Sequence, residues 1–187
     1  MKKLLIIQQQ SSVVPHLLAR LKAEPQIEVQ VYSGDLESVE DYRSALKDVN
    51  LIFTAVGPKD ADLDFESLFD AIDDVQPPIS DFVMLSYAGV DDELAAPVAY
   101  PGVDDVEEFI KQQRYTIKIV DESEIPYSII RMGTLANRPM GKYQLFNEGS
   151  QMPAGTVSAE AVAKLAYEML VHQEWLNTQS ESLIYNE

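Results

Sequence analysis

Leu4, Leu5, Ile6 and Ile7 form an unbroken apolar run, the pattern of a strand buried on both faces of a parallel sheet. Val13, Val14, Leu17, Leu18 and Leu21 then recur at helical spacing. Pro15 sits near the start of that helix, where its missing N–H does little harm, and Ser11 or Ser12 supplies the cap. Residues 27–32 (Ile-Glu-Val-Gln-Val-Tyr) alternate strictly between apolar and polar, which predicts a strand near the edge of a sheet. Gly34-Asp35 punctuates it.

The same rhythm continues. Val39, Tyr42, Leu46 and Val49 mark a helix ending near Asn50, followed by a buried strand at 51–56 and the break Gly57-Pro58. A helix over 63–75, with Leu68, Phe69 and Ile72 inward, stops at Pro77-Pro78, and the next strand is 82–86. Residues 91–101 read as a loop rich in acid, Ala and Pro. A long helix spans 104–122, with Asp104, Asp105, Glu107 and Glu108 at its positive end. A strand follows at 127–130, and the stretch after Gly133 reads as irregular, interrupted by Pro139, Gly141, Gly149, Pro153 and Gly155. Ser158 caps a helix carrying Val162, Leu165, Ala166, Met169 and Leu170, and Leu183-Ile184-Tyr185 reads as a closing strand. Buried strands alternating with helices predict right-handed crossovers and one α/β domain over residues 1–187, a three-layer, doubly wound parallel sheet.

Composition narrows the function classes. The chain has no cysteine, which removes thiol nucleophiles, thiolate metal sites and disulfides together. Its formal net charge is −17, so nucleic acid is not an expected partner. No apolar run approaches the roughly 20 residues that span a bilayer, and the N-terminal run is too short for a signal peptide. Cytoplasmic residence, with no membrane partner, is the expectation. His16 and His172 are isolated and predict no metal site. Asp60, Asp62 and Asp64 are spaced like the start of a calcium loop, but Phe65 and Ala71 stand where that loop needs glycine and glutamate.

Several segments together resemble the atypical short-chain dehydrogenase/reductase group, the small NmrA-like and flavin reductase-like proteins with an NAD(P)-binding Rossmann fold. They are Gly34-Asp35-Leu36, the strand at 51–53 after Val49-Asn50, residues 82–90, residues 125–135, Gly141-Lys142-Tyr143 and residues 157–163. The resemblance covers most of the chain and implies a Rossmann-like sheet and a nucleotide ligand, NAD or NADP, with FMN or FAD as the flavin counterpart. Two departures stand out. Where such relatives carry a glycine-rich loop, this chain has Gln8, Gln9, Gln10, Ser11 and Ser12, which predicts a reshaped nucleotide site. Only residues 27–32 supply a strand where relatives place two, which predicts a sheet shortened by about one strand and removes the usual location of a basic residue for a 2′-phosphate.

The resemblance also implies which residues flank a cofactor: Gln8 to Ser12, then Ala55, Val56 and Gly57, Ser86 and Tyr87, and Met132 and Gly133, all at strand ends. Asp35 accepts hydrogen bonds from ribose hydroxyls in one reading and is an ordinary turn residue in the other. Ser86 is placed to touch substrate or nicotinamide. Catalytic relatives pair such a serine with Tyr-x-x-x-Lys. Tyr115 is followed four residues later by Ile119, with Lys118 one position early, so no residue is assigned a catalytic role. Arg131 is expected to pair with acidic neighbours. Two functions remain from sequence: an NAD(P)-binding oxidoreductase-like protein, and a non-catalytic Rossmann scaffold serving regulation or protein interaction. An edge strand or the helix after Asp104 offers a surface for a homodimer contact.

Overall fold

The computed structural model describes residues 1–172 in full and the backbone of residues 180–186. Its first strand, β1 (Lys2–Gln8), is followed by α1 (Val13–Leu21), β2 (Ile27–Val31), α2 (Val39–Ala45), β3 (Leu51–Ala55), α3 (Ala61–Val75), β4 (Asp81–Tyr87), α4 (Val106–Glu122) and β5 (Tyr127–Met132). Three short strands then precede the last helix: β6 (Thr134–Ala136), β7 (Tyr143–Asn147) and β8 (Thr156–Ser158), followed by α5 (Ala159–His172) and β9 (Ser180–Asn186).

Seven strands form the main sheet in the order β2-β1-β3-β4-β5-β9-β7. Every pairing in it is parallel except β7 against β9. The chain leaves β1 for β2 on one side, then crosses to β3 on the other. Such a reversal leaves a crevice above the carboxyl ends of the two central strands. Here it opens above Gln8 and Ala55, which are register partners. One strand, β2, lies outside β1, in keeping with the shortened sheet. The closing strand expected at 183–185 is β9, and its parallel register on β5 pairs Arg131 with Leu183.

Period-two alternation divides the core. Leu4, Ile6, Leu51, Phe53, Val83, Leu85 and Ile130 face α1 and α5. Leu5, Ile7, Ile52, Phe82, Met84 and Ile129 face α2, α3 and α4. Side chains this fully buried each contribute about 1.5–3 kcal/mol relative to exposure, so the two apolar layers hold the sheet and fix its register. A one-residue slip in any inner strand would exchange the sets.

Local chemistry sets the helix ends. Asp105 Oδ1 accepts from Glu108 N at 3.0 Å, so α4 begins at Val106 rather than Asp104. Ser12 occupies the cap position of α1 without a side-chain hydrogen bond. The hydroxyl of Ser11 serves instead, accepting from Val13 N at 3.2 Å. Helix α2 stops at Ala45, short of the expected end near Asn50, and Asp48 in the turn that follows takes a left-handed φ of 59°. Leu46 and Val49 are buried all the same. The stretch after Gly133 differs most from expectation, since β6, β7 and β8 lie within or beside it. Their partners are remote in sequence, so local pattern carries little of their signal. Among the described residues no helix is long and apolar enough to cross a membrane.

Candidate functional site

A cleft of about 320 Å3 opens above the carboxyl ends of β1, β3, β4 and β5. Its floor and walls come from the loop Gln9 to Ser12, from Ala55 to Pro58, from Leu85, Tyr87 and Ala88, and from Met132 to Leu135. Leu94, Val98, Tyr100 and Pro101 cover one side, and Gly155 completes the rim. Every one of these residues is uncharged. Tyr87 meets Phe109 edge-on at 5.1 Å and Tyr100 at 6.1 Å between ring centroids. Tyr100 Oη donates to the Ala88 carbonyl at 2.9 Å, which fixes the covering segment against the end of β4. Burial holds the Tyr87 hydroxyl above its ordinary pKa. The Tyr100 hydroxyl is raised by burial and then by the Glu93 carboxylate. Neither is an easily ionised acid.

The covering loop hangs on a charge cluster in which Arg131 and Glu93 are buried and Asp91 is half-exposed. Arg131, at the inward face of β5, bonds Asp91 and lies 3.6 Å from Glu93 Oε1. Glu93 in turn accepts from Gly89 N at 2.8 Å and from Asp91 N at 2.9 Å. Arg114 of α4 reaches the Val90 carbonyl and Asp92. A carboxylate accepting two backbone N–H bonds beside a guanidinium is well compensated for burial. The pairing expected of Arg131 is therefore present, and its role is to hold residues 89–94 in place over the cleft.

The glutamine-serine loop satisfies itself. Gln8 Oε1 accepts from Ser11 N at 3.1 Å, the Ser11 hydroxyl takes Val13 N, and Gln9 N donates to the Ala55 carbonyl at 3.2 Å. Ser11 N and Val13 N are donors that, at a helix start, would otherwise face an anion, whereas Gln9 N continues the bonding of β1 to β3. Gln10 adopts φ 48°, a left-handed geometry that glycine takes at no steric cost. The backbone thus keeps a glycine-like bend without a glycine. Gln9 turns its side chain toward β3: its Oε1 lies so close to Gly57 that a Cβ there would collide with it. Its Nε2 donates to Asp64 Oδ2 at 3.2 Å.

Ten of the sequence-derived positions line the cleft: Gln9, Gln10, Ser11, Ser12, Ala55, Val56, Gly57, Tyr87, Met132 and Gly133. Gln8 supports the loop from behind through its bond to Ser11. Ser86 does not border the cleft, contrary to expectation. Strand alternation turns it to the face opposite Leu85 and Tyr87, where its hydroxyl donates to Gln113 Oε1 of α4 at 3.0 Å and is fully buried. Asp35 also lies outside the lining. Its carboxylate accepts from Glu37 N and its carbonyl from Tyr32 Oη, so its bonds are those of a turn. Tyr115 is exposed on α4 with its hydroxyl on Glu66. Sequence reasoning missed the covering residues Leu94, Val98, Tyr100 and Pro101, which sit in a loop without periodicity. It also missed Leu135, whose strand β6 is three residues long. Among the described residues no group of three or more His, Cys, Asp or Glu is placed to hold a metal ion.

A model of NAD(P)H-binding domains matches residues 7–173. The chain belongs to that NAD(P)H-binding family. No curated protein matches it by sequence. Among solved structures, a Rossmann-fold NAD(P)-binding family protein from Shigella flexneri is 16% identical, with a TM-score of 0.79 over 100% of this chain and 94% of that one. A wide-type short-chain dehydrogenase/reductase from Veillonella parvula, solved with NADP, is 19% identical, with a TM-score of 0.77 over 99% and 94%. ChuY, an anaerobillin reductase from Escherichia coli, is 17% identical, with a TM-score of 0.78 over 98% and 97%. At these identities the likeness establishes the Rossmann-like fold. In the NAD(P)H-binding family a dinucleotide is the expected ligand, and the cleft lies at the switch point of the sheet, uncharged and walled by Tyr87, Met132 and Leu135. The strand-end turn after β2 contributes nothing to the lining.

Proposed function

We propose that the protein is an oxidoreductase-like member of the family that presents a nicotinamide ring to a neutral, largely apolar substrate, without Tyr-x-x-x-Lys acid catalysis. The observation that carries this reading is the lining of the cleft, which is uncharged throughout and aromatic on the side covered by residues 94–101. A bound nicotinamide supplies hydride chemistry. The chain supplies position and exclusion of water: Leu85, Ala88 and Leu135 form an apolar wall, and Tyr87 and Tyr100 offer ring faces or edges to a planar ligand. The lining offers no readily ionised acid, since it is uncharged throughout and both tyrosine hydroxyls are held above their ordinary pKa. A strongly anionic acceptor beside the bound nucleotide is disfavoured by the uncharged lining and the net charge of −17.

The test is titration of NADH fluorescence with the protein, followed by NADH oxidation with neutral quinones and with anionic acceptors of similar size. Saturable binding and a preference for neutral acceptors support the reading. Absence of binding at millimolar NADH sinks it in favour of the second reading, a Rossmann scaffold that has lost its cofactor and serves as a regulatory or interaction module. One observation favours that alternative: the loop donors Ser11 N and Val13 N are already taken by Gln8 and Ser11 side chains.

A further inference from the structure

In doubly wound dinucleotide sites the adenosine ribose lies beside an acidic residue at the end of the second strand. The ligand reaches it by passing from the central crevice over the end of β1. In this chain the elements that flank that route are tied together by side chains. The Gln9 side chain crosses from the end of β1 to Asp64 in the first turn of α3. Beyond it, the Ser67 hydroxyl of α3 donates to the Glu37 carbonyl at 3.1 Å, drawing α3 against the turn after β2. The space within that turn is taken by Tyr32, which is 8% exposed, stacks on Tyr42 at 4.5 Å and donates to the Asp35 carbonyl at 2.8 Å.

Resting on the nicotinamide reading above, we infer that the cleft accepts the nicotinamide ribonucleotide half of a dinucleotide and excludes the adenosine half, so that ligands of mononucleotide size are what it recognises. Two side-chain bonds tie together elements that flank that route, Gln9 to the Asp64 carboxylate and Ser67 to the Glu37 carbonyl, and Tyr32 fills the turn after β2 through its own bond to the Asp35 carbonyl. Charge acts in the same sense. Asp64 is buried, and its carboxyl is pushed up to about 7, first by burial and then by Glu37, Asp60, Asp35 and Asp62. A diphosphate or 2′-phosphate led past these groups would meet carboxylates rather than cations. The lining of the cleft agrees, since it draws on the ends of β1, β3, β4 and β5 and on no residue between 13 and 54.

The experiment is a three-ligand comparison on the intact protein by calorimetry or fluorescence: NADH, reduced nicotinamide mononucleotide and ADP-ribose. The expected result is that NADH and reduced nicotinamide mononucleotide bind within about threefold of each other, a difference of about 0.6 kcal/mol or less, while ADP-ribose does not compete at a hundredfold excess. ADP-ribose competing effectively, or NADH binding more than tenfold tighter than the mononucleotide, overturns the inference and leaves the nicotinamide reading standing. Failure of both nicotinamide ligands to bind overturns the two together.

Discussion

Gln9 Nε2 lies 3.2 Å from Asp64 Oδ2, joining the loop that follows the first strand to a helix 55 residues further along the chain. The contact fills space that a glycine in place of Gln9 would leave open. Asp64 is buried, and the amide offsets part of the cost of keeping its carboxyl out of water. The bridge therefore couples the shape of the cleft to a group whose charge is costly to hold.

A second buried acid makes stability depend on pH. Asp81 is fully buried at the start of β4, with neither carboxyl oxygen hydrogen-bonded by a side chain, and burial pushes it up to about 7 against the lowering effects of Phe82 N–H and Lys2. Its folded pKa lies above the ordinary 3.8, so the folded state binds the proton more tightly. Stability is gained as pH falls from about 7 toward 3.8 and is lost again as pH rises through that window. Asp81→Asn should raise stability at pH ~8 by about 1–3 kcal/mol and flatten the slope. Urea denaturation across this range checks it; a wild-type protein as stable at pH ~8 as at pH ~5, with no gain in the variant, contradicts the assignment.

Arg131→Ala should cost about 3 kcal/mol, because it leaves Glu93 buried without its cation. Proteolysis should then cut within residues 89–101 first, as the covering loop loses its anchor. A variant that unfolds at the wild-type urea concentration would show that the backbone donors of Gly89 and Asp91 suffice.

Ser86→Ala separates position from proximity. The hydroxyl faces Gln113 rather than the cleft, so nucleotide affinity should stay within twofold of wild type while stability falls by about 1–2 kcal/mol through the unpartnered amide. A tenfold loss of NADH binding with unchanged stability would place Ser86 at the ligand after all.

Gly89 sits at φ 96°, where an added Cβ would lie 2.5 Å from Tyr100 Oη and 3.0 Å from a Leu94 methyl. Gly89→Ala should therefore destabilise the protein by about 2 kcal/mol and weaken ligand binding as Tyr100 is displaced from the Ala88 carbonyl. Melting temperature and NADH titration report the two effects separately.

By itself, the sequence determined the doubly wound frame. An unbroken apolar run at 4–7, a largely apolar one at 51–56, strict alternation at 27–32 and helical spacing from Val13 to Leu21 are local patterns, and each directs a local backbone choice. Most of the cleft was legible for the same reason: strand ends in a parallel sheet come together once strand order is known, so the turns after β1, β3 and β5 had to meet. Tertiary structure decided what depends on direction and distance. Whether Ser86 or Tyr87 faces the cleft turns on strand register, which reverses with a single step. Residues 91–101 read as a loop, but their place over the cleft was not legible, because the anchor pairs Arg131 with Asp91 and Glu93 38 or more residues earlier. Gln8 and Gln9 announced an altered loop, but only the folded chain shows where their amides go, because Ser11 N is a neighbour in sequence and Asp64 is a neighbour only in space.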